Sequence, residues 1–210
     1  MVQAHAIARL GGLKLVDATD FTMGVSNRTP EFLAKFPLGK VPCLETADGF
    51  YVTESQAIAR FLAESGSLST QLIGRDIKTR AKIEEWSCFA EQEIAANIVP
   101  PLIMTVFKMI PFDENRYNSS LSGLERAVKR VEAELERKEG NKKFLVGEEL
   151  SLADIMVAGA LYVAAKFYMD EEMRGQSLQR VKAWLEGLWE IAEIKEAFGP
   201  LEFCDKRMRA

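Results

Sequence analysis

The sequence is poor in the residue types that most metal sites and disulfide frameworks need. Its 210 residues include one histidine, His5, and three widely spaced cysteines, Cys43, Cys88 and Cys204. An odd number of scattered cysteines indicates neither a disulfide framework nor a metal site, and it favours a reducing compartment. A single histidine cannot build a multi-histidine metal site, so we interpret His5 as a structural residue. The composition therefore predicts a cytoplasmic protein without a bound metal.

Long apolar runs and an excess of basic residues are also missing. The longest apolar run, residues 155–165, is shorter than the roughly 20 residues that cross a bilayer, and the N-terminus lacks the pattern of a signal peptide. Lysine and arginine number 27 against 31 acidic residues, and the formal net charge of -4 argues against a nucleic-acid interface. The chain is long enough for one large domain or two small ones. We expect a globular protein with no nucleic-acid or membrane partner.

The N-terminal region mixes helix and strand patterns. Residues 2–10 carry apolar side chains at helical spacing and end at the stop signal Gly11-Gly12. Leu13 to Val16 is predicted to be a short strand, and Pro30 marks the start of a short helix after a polar loop.

The most informative stretch has a proline where a strand begins. Lys40 to Leu44 leads through Asp48-Gly49 into a second strand, Phe50 to Thr53, and then into a helix that opens with Glu54-Ser55. Because proline has no N–H, we expect a loop to end there through a cis bond, with the backbone of Val41 free to pair with an extended peptide-like molecule. The unpaired N–H groups at the helix start favour a carboxylate. From spacing alone, a proline-kinked hairpin and an ordinary capped helix explain the same residues.

From residue 75 onward the pattern is helical. Glu64 to Gly74, which is rich in Ser, Gly and Thr, is predicted to be a linker. The apolar stripe from Ile77 to Ile94 predicts a long helix, which Pro100-Pro101 should interrupt or kink before it continues to Ile110. Asp113 to Ser120 is predicted to be a polar loop.

Two further patterns complete the helical part. Leu121 to Lys138 repeats apolar residues every three or four positions and predicts an amphipathic helix. Ser151 and Asp154 have the spacing of a capping box at the start of a buried helix, a structural role worth about 1 kcal/mol. Residues 180–198 complete the bundle.

Four runs of the sequence resemble the glutathione transferase superfamily. They are residues 27–33 (NRTPEFL), 35–42 (KFPLGKVP), 48–50 (DGF) and 54–59 (ESQAIA). Within the superfamily, the likeness is nearest to the transferase-like N-terminal domain of the gamma subunit of translation elongation factor 1, and it covers nearly all of the chain. The resemblance implies an α/β plus all-α fold. A thioredoxin-like, glutathione-binding domain would span residues 1–66, and an all-helical C-terminal domain would span residues 75–210.

The resemblance also implies a binding site. In the superfamily, a Val-Pro pair with a cis proline holds the cysteinyl backbone of glutathione, which indicates Val41 and Pro42 here. A Glu-Ser pair holds the γ-glutamyl carboxylate, which indicates Glu54 and Ser55. A lysine before the Val-Pro pair can reach the glycyl carboxylate, so Lys40 joins this set, although a solvated loop lysine remains an equally open interpretation.

One part of the family pattern is missing from this sequence. A complete domain of this type has one more strand before the first helix, and the loop after that strand carries the Tyr, Ser or Cys that activates the glutathione thiol. We expect either a fragment of a longer protein or a domain without that strand, in which Leu13 to Val16 has no obvious partner. Gln3 and His5 are the candidate replacements, and the catalytic residue stays unknown. Cys43 is interpreted as a buried structural thiol.

Two functions remain open at this point, and a stand-alone regulator or detoxification homologue of the same family would lie between them. The first is a transferase that binds glutathione as co-substrate and directs its thiol at an apolar electrophile. Four apolar residues are candidates to line the electrophile pocket, although apolar residues at helical spacing more often belong to the core. They are Trp86, Phe89, Met104 and Phe107. The second is a non-catalytic scaffold in the elongation factor 1 complex, with that complex's subunits as partners. By likeness to the family we expect a homodimer.

Overall fold

The computed structural model describes residues 2–137, 143–175 and 178–209. In these residues the chain forms a two-stranded sheet and eleven α-helices. The bounds are α1 Val2–Leu10, α2 Pro30–Lys35, β1 Cys43–Glu45, β2 Tyr51–Thr53, α3 Ser55–Ser65, α4 Ser69–Ile73, α5 Ile77–Phe89, α6 Ala96–Thr105, α7 Glu114–Glu136, α8 Leu152–Phe167, α9 Glu171–Arg174, α10 Gln179–Leu188 and α11 Ala192–Phe198. None of the described helices has the length and apolar character needed to cross a bilayer.

The N-terminal region forms the predicted hairpin. Strands β1 and β2 are antiparallel, with Cys43 opposite Thr53 and Glu45 opposite Tyr51. The turn between them closes through Thr46, whose N–H donates to the carbonyl of Phe50 at 2.9 Å. Helix α1 also has the predicted bounds. The described sheet is therefore a reduced one, with helices before and after it.

The strand predicted at Leu13 to Val16 does not form. The segment keeps the alternation of a strand, because Leu13 and Leu15 are half-buried while Lys14 and Val16 are exposed. Within the described residues, however, no neighbouring strand lies beside it to complete a ladder. An alternating pattern is thus present without the hydrogen-bonded partner that defines a strand.

The predicted linker between residues 64 and 74 is more ordered than expected. Helix α3 continues to Ser65, and α4 occupies Ser69–Ile73. Leu72 is fully buried, and the amide of Gln71 donates to the carbonyl of Leu150 at 3.0 Å. Tertiary burial overrides the turn-rich composition here.

The two prolines do not interrupt the helix that contains them. Helix α6 runs through Pro100 and Pro101, while the irregular hydrogen bonding lies upstream in a π-helix, Ala90–Ala95. Helix α6 then ends at Thr105 rather than continuing to Ile110. A π-helix has i→i+5 hydrogen bonds in place of the i→i+4 bonds of an α-helix, so the chain stays helical from α5 through this segment into α6.

The polar loop predicted over Asp113 to Ser120 is wrong, because α7 begins at Glu114. Asp113 is its N-cap, and the carboxylate accepts the N–H of Arg116 at 3.0 Å. The polar residues form the cap and the exposed side of the first turns. The predicted helix end at Lys138 lies outside the described residues.

Helix α8 is the centre of the molecule. Most of its side chains are buried, and it packs against α1, α3 and α5. Gln3 of α1 lies so close to Gly159 that an added Cβ there would stand 2.5 Å from the Gln3 side chain. The helical region therefore builds its core around one apolar helix, as the sequence predicts.

Candidate functional site

The five predicted site residues line one open pocket between the hairpin and the start of α3. The pocket has a volume of about 140 Å³, and its walls also include Phe36, Pro37, Leu38, Gly39 and Thr53. Small-molecule cavities commonly measure roughly 300–1,000 Å³, so this one is a shallow site that leaves part of a ligand in solvent.

One wall of the pocket is the turn that leads into β1. The N–H of Gly39 donates to the carbonyl of Phe36 at 2.9 Å, and Gly39 has a φ of 58°, a conformation that glycine adopts without steric cost. The bond between Val41 and Pro42 is cis, as predicted. Neither backbone group of Val41 has a hydrogen-bond partner in the described part of the chain. A peptide-like ligand can therefore pair with this backbone.

The opposite wall is the N-terminus of α3. Glu54 is the N-cap residue, yet its side chain makes no capping hydrogen bond. The first N–H to find a partner is that of Ile58, which donates to the Glu54 carbonyl at 2.9 Å. The N–H groups of residues 55–57 therefore have no protein partner among the described residues. Free N–H groups at the positive end of a helix dipole favour an anion.

The polar side chains of the pocket are also unpaired. Lys40, Glu54 and Ser55 are exposed, and none of them makes a side-chain hydrogen bond or ion pair with residues 2–137, 143–175 or 178–209. Together with Thr53, the site thus presents one cationic, one anionic and two hydroxyl groups to solvent. These groups suit a zwitterionic ligand with more than one carboxylate.

Glu54 has an unusual backbone conformation. Its φ of 68° and ψ of 125° lie in a region that side chains other than glycine rarely adopt. Such conformations cost about 1–3 kcal/mol and cluster at functional sites. The sequence pattern assigned Glu54 to the site without indicating this strain.

Asn27 supports the pocket from behind and is a residue whose role the sequence reasoning missed. It is 2% exposed, and its side chain links the backbone of Gly24 to that of Gly39. The run NRTPEFL contributed to the family resemblance, but a contact over twelve positions has no periodic signal in the sequence.

The candidate replacements for a thiol-activating residue lie elsewhere. The Gln3 side chain packs against Gly159, and His5 Nε2 lies 3.0 Å from Asp17 Oδ1. Neither residue lines the pocket. Cys43 is half-buried, and burial raises the pKa of its thiol. A thiol with a raised pKa is a poor nucleophile, in agreement with its structural interpretation.

The candidate residues for an apolar co-substrate pocket are mainly core. Trp86, Phe89 and Met104 are buried, whereas Phe107 is 60% exposed. The guanidinium of Arg130 covers the rings of Trp86 and Phe89 at 5.0 and 4.7 Å from their centroids. The first three residues therefore stabilise the helical region.

The most perturbed carboxyl group lies away from the pocket. Asp154 is completely buried, and this burial raises its pKa to about 6 although hydrogen bonds from Leu145 and Ser151 act in the opposite direction. Trp184, whose indole N–H has no hydrogen-bond partner in the described chain, has a smaller effect in the same direction as those hydrogen bonds on the pKa of Asp154. The Asp154 carboxyl accepts the N–H of Leu145 at 2.8 Å and the N–H of Ser151 at 3.0 Å, so it caps α8 as predicted. In the described residues no group of three or more His, Cys, Asp or Glu side chains is arranged to hold a metal ion.

Comparison with known proteins identifies both regions of the chain. Residues 8–65 match the model of the glutathione S-transferase N-terminal domain, and residues 94–191 match that of the C-terminal domain. A glutathione S-transferase-like protein, LUC7 of a Fusarium species, is 41% identical over 95% of this chain and 88% of its own length. Elongation factor 1-gamma of Carassius auratus is 35% identical over 97% of this chain but only 44% of its own length.

Solved structures show the same fold. The transferase-like domain of elongation factor 1-gamma from Saccharomyces cerevisiae superposes with a TM-score of 0.79 at 21% identity, covering 100% of this chain and 94% of that domain. The glutathione transferase URE2P6 from Phanerochaete chrysosporium, solved with oxidized glutathione, gives 0.82 at 18% identity, covering 94% and 89%. These matches confirm a thioredoxin-like N-terminal region with a reduced sheet, followed by an all-helical region. With both domain models matched and a relative of similar length at 41% identity, this chain belongs to the glutathione S-transferase superfamily.

Proposed function

We propose that the pocket binds glutathione, and that the protein transfers it to an apolar electrophile. The observation that carries this proposal is that five residues line one pocket and that their polar groups have no hydrogen-bond partners in the described chain. These residues are Lys40, Val41, Pro42, Glu54 and Ser55. Two of the solved relatives, which contain oxidized glutathione or lactoylglutathione, lend support from the family.

Each part of glutathione has a complementary group in the pocket. The γ-glutamyl end is a zwitterion, so its carboxylate would bind the Ser55 hydroxyl and the free N–H groups of α3. Its ammonium would pair with the Glu54 carboxylate. The cysteinyl backbone would pair with the N–H and C=O of Val41, as one extended strand pairs with another. Lys40 would reach the glycyl carboxylate from its exposed position.

The chemical step is the attack of the glutathione sulfur on an electrophilic carbon. A carbon–sulfur bond forms, the leaving group departs with its electron pair, and the thiol proton passes to solvent. The pocket lining includes two hydroxyl groups, Thr53 and Ser55, and neither tyrosine nor cysteine. A helix N-terminus would favour a thiolate by only about 0.3–1 kcal/mol at an exposed site, and that of α3 is already assigned to the γ-glutamyl carboxylate. We therefore propose binding by named residues and leave the activating residue unassigned.

The proposal extends to the organisation of the protein. We propose a glutathione-binding domain over residues 1–66, a helical domain over residues 75–210, a homodimer and a cytoplasmic location. The curated transferase-like relatives support this architecture through their similar length.

Calorimetric titration with glutathione tests the binding proposal. Ser55→Ala and Glu54→Ala should each weaken binding at least about tenfold, because each removes a charged or hydroxyl partner of the γ-glutamyl end. Glu64→Ala is the matched control, since Glu64 is an exposed glutamate at the far end of the same helix. Absence of binding by the unmodified chain would overturn the proposal. Turnover is then measured with an activated aryl halide.

A second function is a non-catalytic scaffold related to elongation factor 1-gamma. It is favoured by the pocket's lack of a tyrosine or cysteine among its described lining residues and by the match to that subunit's transferase-like domain. Under this alternative, the chain binds elongation factor 1 subunits and shows no turnover. A pull-down with purified elongation factor 1 subunits, run beside the turnover assay, separates the two functions.

A further inference from the structure

We propose that Asn27 is a positioning residue, whose side chain holds the Gly39–Pro42 wall of the pocket in the shape that receives glutathione. This inference rests on the proposed function. It adds a residue that does not line the pocket.

Both ends of the Asn27 amide are committed to backbone groups. The residue lies in a 3-10 turn, Ser26–Arg28, and is 2% exposed. Its Nδ2 donates to the carbonyl of Gly39 at 2.6 Å, and its Oδ1 accepts the N–H of Gly24 at 2.6 Å. Exchanging the oxygen and nitrogen would place like groups against each other, so these contacts fix the orientation of the side chain.

The contact with Gly39 matters because this glycine leads directly into the unpaired part of the pocket wall. An added Cβ on Gly39 would stand 2.7 Å from the Asn27 carbonyl oxygen and 2.9 Å from the Arg28 guanidinium, so the two loops touch directly. The next residues, Lys40 and Val41, have exposed side chains, and the backbone of Val41 has no partner in the described chain. The Asn27–Gly39 hydrogen bond is thus the anchor immediately before the unpaired backbone of Val41.

Two other polar residues of the loop that carries Asn27 bond within that loop and not to the pocket wall. Thr22 and Ser26 bond to each other through the Thr22 N–H and the Ser26 hydroxyl at 2.9 Å, which closes the loop on itself. Among the described residues, the side-chain hydrogen bond from this loop to the pocket wall is the one that Asn27 donates to Gly39. Loss of that link should release the wall while the loop stays closed.

The test compares Asn27→Asp with a matched variant, Glu132→Gln. Asn27→Asp keeps the size of the side chain but puts an acceptor against the Gly39 carbonyl. Glu132 is also buried, and its carboxylate joins two segments by accepting the N–H groups of Arg180 and Val181 at 2.8 and 2.7 Å, in the helical region. We expect Asn27→Asp to raise the Kd for glutathione about tenfold, because a buried carbonyl loses its donor, and Glu132→Gln to leave the Kd unchanged.

A second readout needs no ligand and separates this inference from the proposed function. Hydrogen exchange of the Gly39 amide, which is bonded to Phe36, should accelerate about tenfold in Asn27→Asp and stay unchanged in Glu132→Gln. The milder variant Asn27→Ser should show the same acceleration if Asn27→Asp does not fold.

The outcomes are distinct. If the unmodified chain binds glutathione and Asn27→Asp binds it equally well, the inference is overturned. If the unmodified chain binds none, the proposed function fails, and the Gly39 exchange rate decides: acceleration supports the anchor, and an unchanged rate refutes it.

Discussion

The hairpin region, which carries the pocket, and the helical region differ in whether their polar groups have hydrogen-bond partners. Around the pocket, the backbone of Val41 and the N-terminus of α3 are left without partners in the described chain. In the helical region, Asp154 and Glu132 are buried, and each accepts hydrogen bonds from two backbone N–H groups. Unpaired groups at the surface are available to a ligand, whereas paired groups in the core stabilise the fold. We therefore expect substitutions in the two regions to separate binding from stability.

The largest effect on stability is expected from Asp154→Ala. The substitution leaves the N–H groups of Leu145 and Ser151 and the Ser151 hydroxyl without an acceptor. At about 1–3 kcal/mol for each buried donor, the free energy of unfolding should fall by about 4 kcal/mol. Urea unfolding at pH 5, below the native pKa of Asp154, measures it. Asp113→Ala, which removes an exposed helix cap, should cost only about 1 kcal/mol. Equal losses would break the comparison between buried and exposed caps.

The pH dependence of stability should report the same carboxyl group. The native pKa of Asp154 is about 6, whereas an unfolded aspartate titrates near roughly 3.9. The native state therefore holds this proton more tightly, so the contribution is fully favourable below about pH 4 and is lost as the pH rises through 6. The loss amounts to about 3 kcal/mol. Unfolding free energies of the unmodified chain and of Asp154→Asn, compared between pH 4 and pH 7, should diverge by about 2 kcal/mol, because part of the loss lies outside this range; parallel profiles would contradict the assignment.

A smaller effect on stability is expected at Glu54 in the pocket, where glycine should be more stable than alanine. Since Glu54 has a φ of 68°, glycine should fit this position better than alanine. We expect Glu54→Gly to be more stable than Glu54→Ala by about 1 kcal/mol, measured by thermal or urea unfolding. At Glu64, in the last turn of the same helix, the order should reverse, because glycine is a poorer helix former than alanine, by up to about 1 kcal/mol. Both Glu54 variants should lose glutathione affinity. The strained backbone of Glu54 would then lower the stability of the protein while its side chain serves binding.

The smallest effect should come from an exposed ion pair that joins the ends of the chain. Arg9 of α1 lies 2.7 Å from Glu196 of α11, and both side chains are at least half exposed. Glu196→Gln should change the free energy of unfolding by less than about 1 kcal/mol, and by less still at high salt. A large loss would mean that surface charge, rather than the core around α8, holds the two ends together.

Local signals made much of the fold predictable. Helix α1, the Asp48-Gly49 hairpin and the cap of α8 are all determined by residues a few positions apart. The five site residues were assigned by the family resemblance, and two short runs of the chain bring them to one pocket. Their role in binding stays a prediction.

The predictions that were wrong or incomplete concern residues whose structure depends on distant parts of the chain. Leu13 to Val16 has the pattern of a strand, but a strand also needs a neighbour. The polar residues after Asp113 resemble a loop, because burial of the other face of α7 against the core is not visible locally. Asn27 was missed for the same reason, since its partner Gly39 is brought to it only by the fold.

The burial of α8 has a consequence for how the molecule unfolds. It packs against α1 and α3, which belong to the N-terminal region, and against α5, which belongs to the helical region, so neither sequence region can close this core alone. Separating the hairpin region would expose one face of α8 to water, with the loss of hydrophobic free energy that this brings. The two regions should therefore melt in a single cooperative transition, with equal calorimetric and van't Hoff enthalpies.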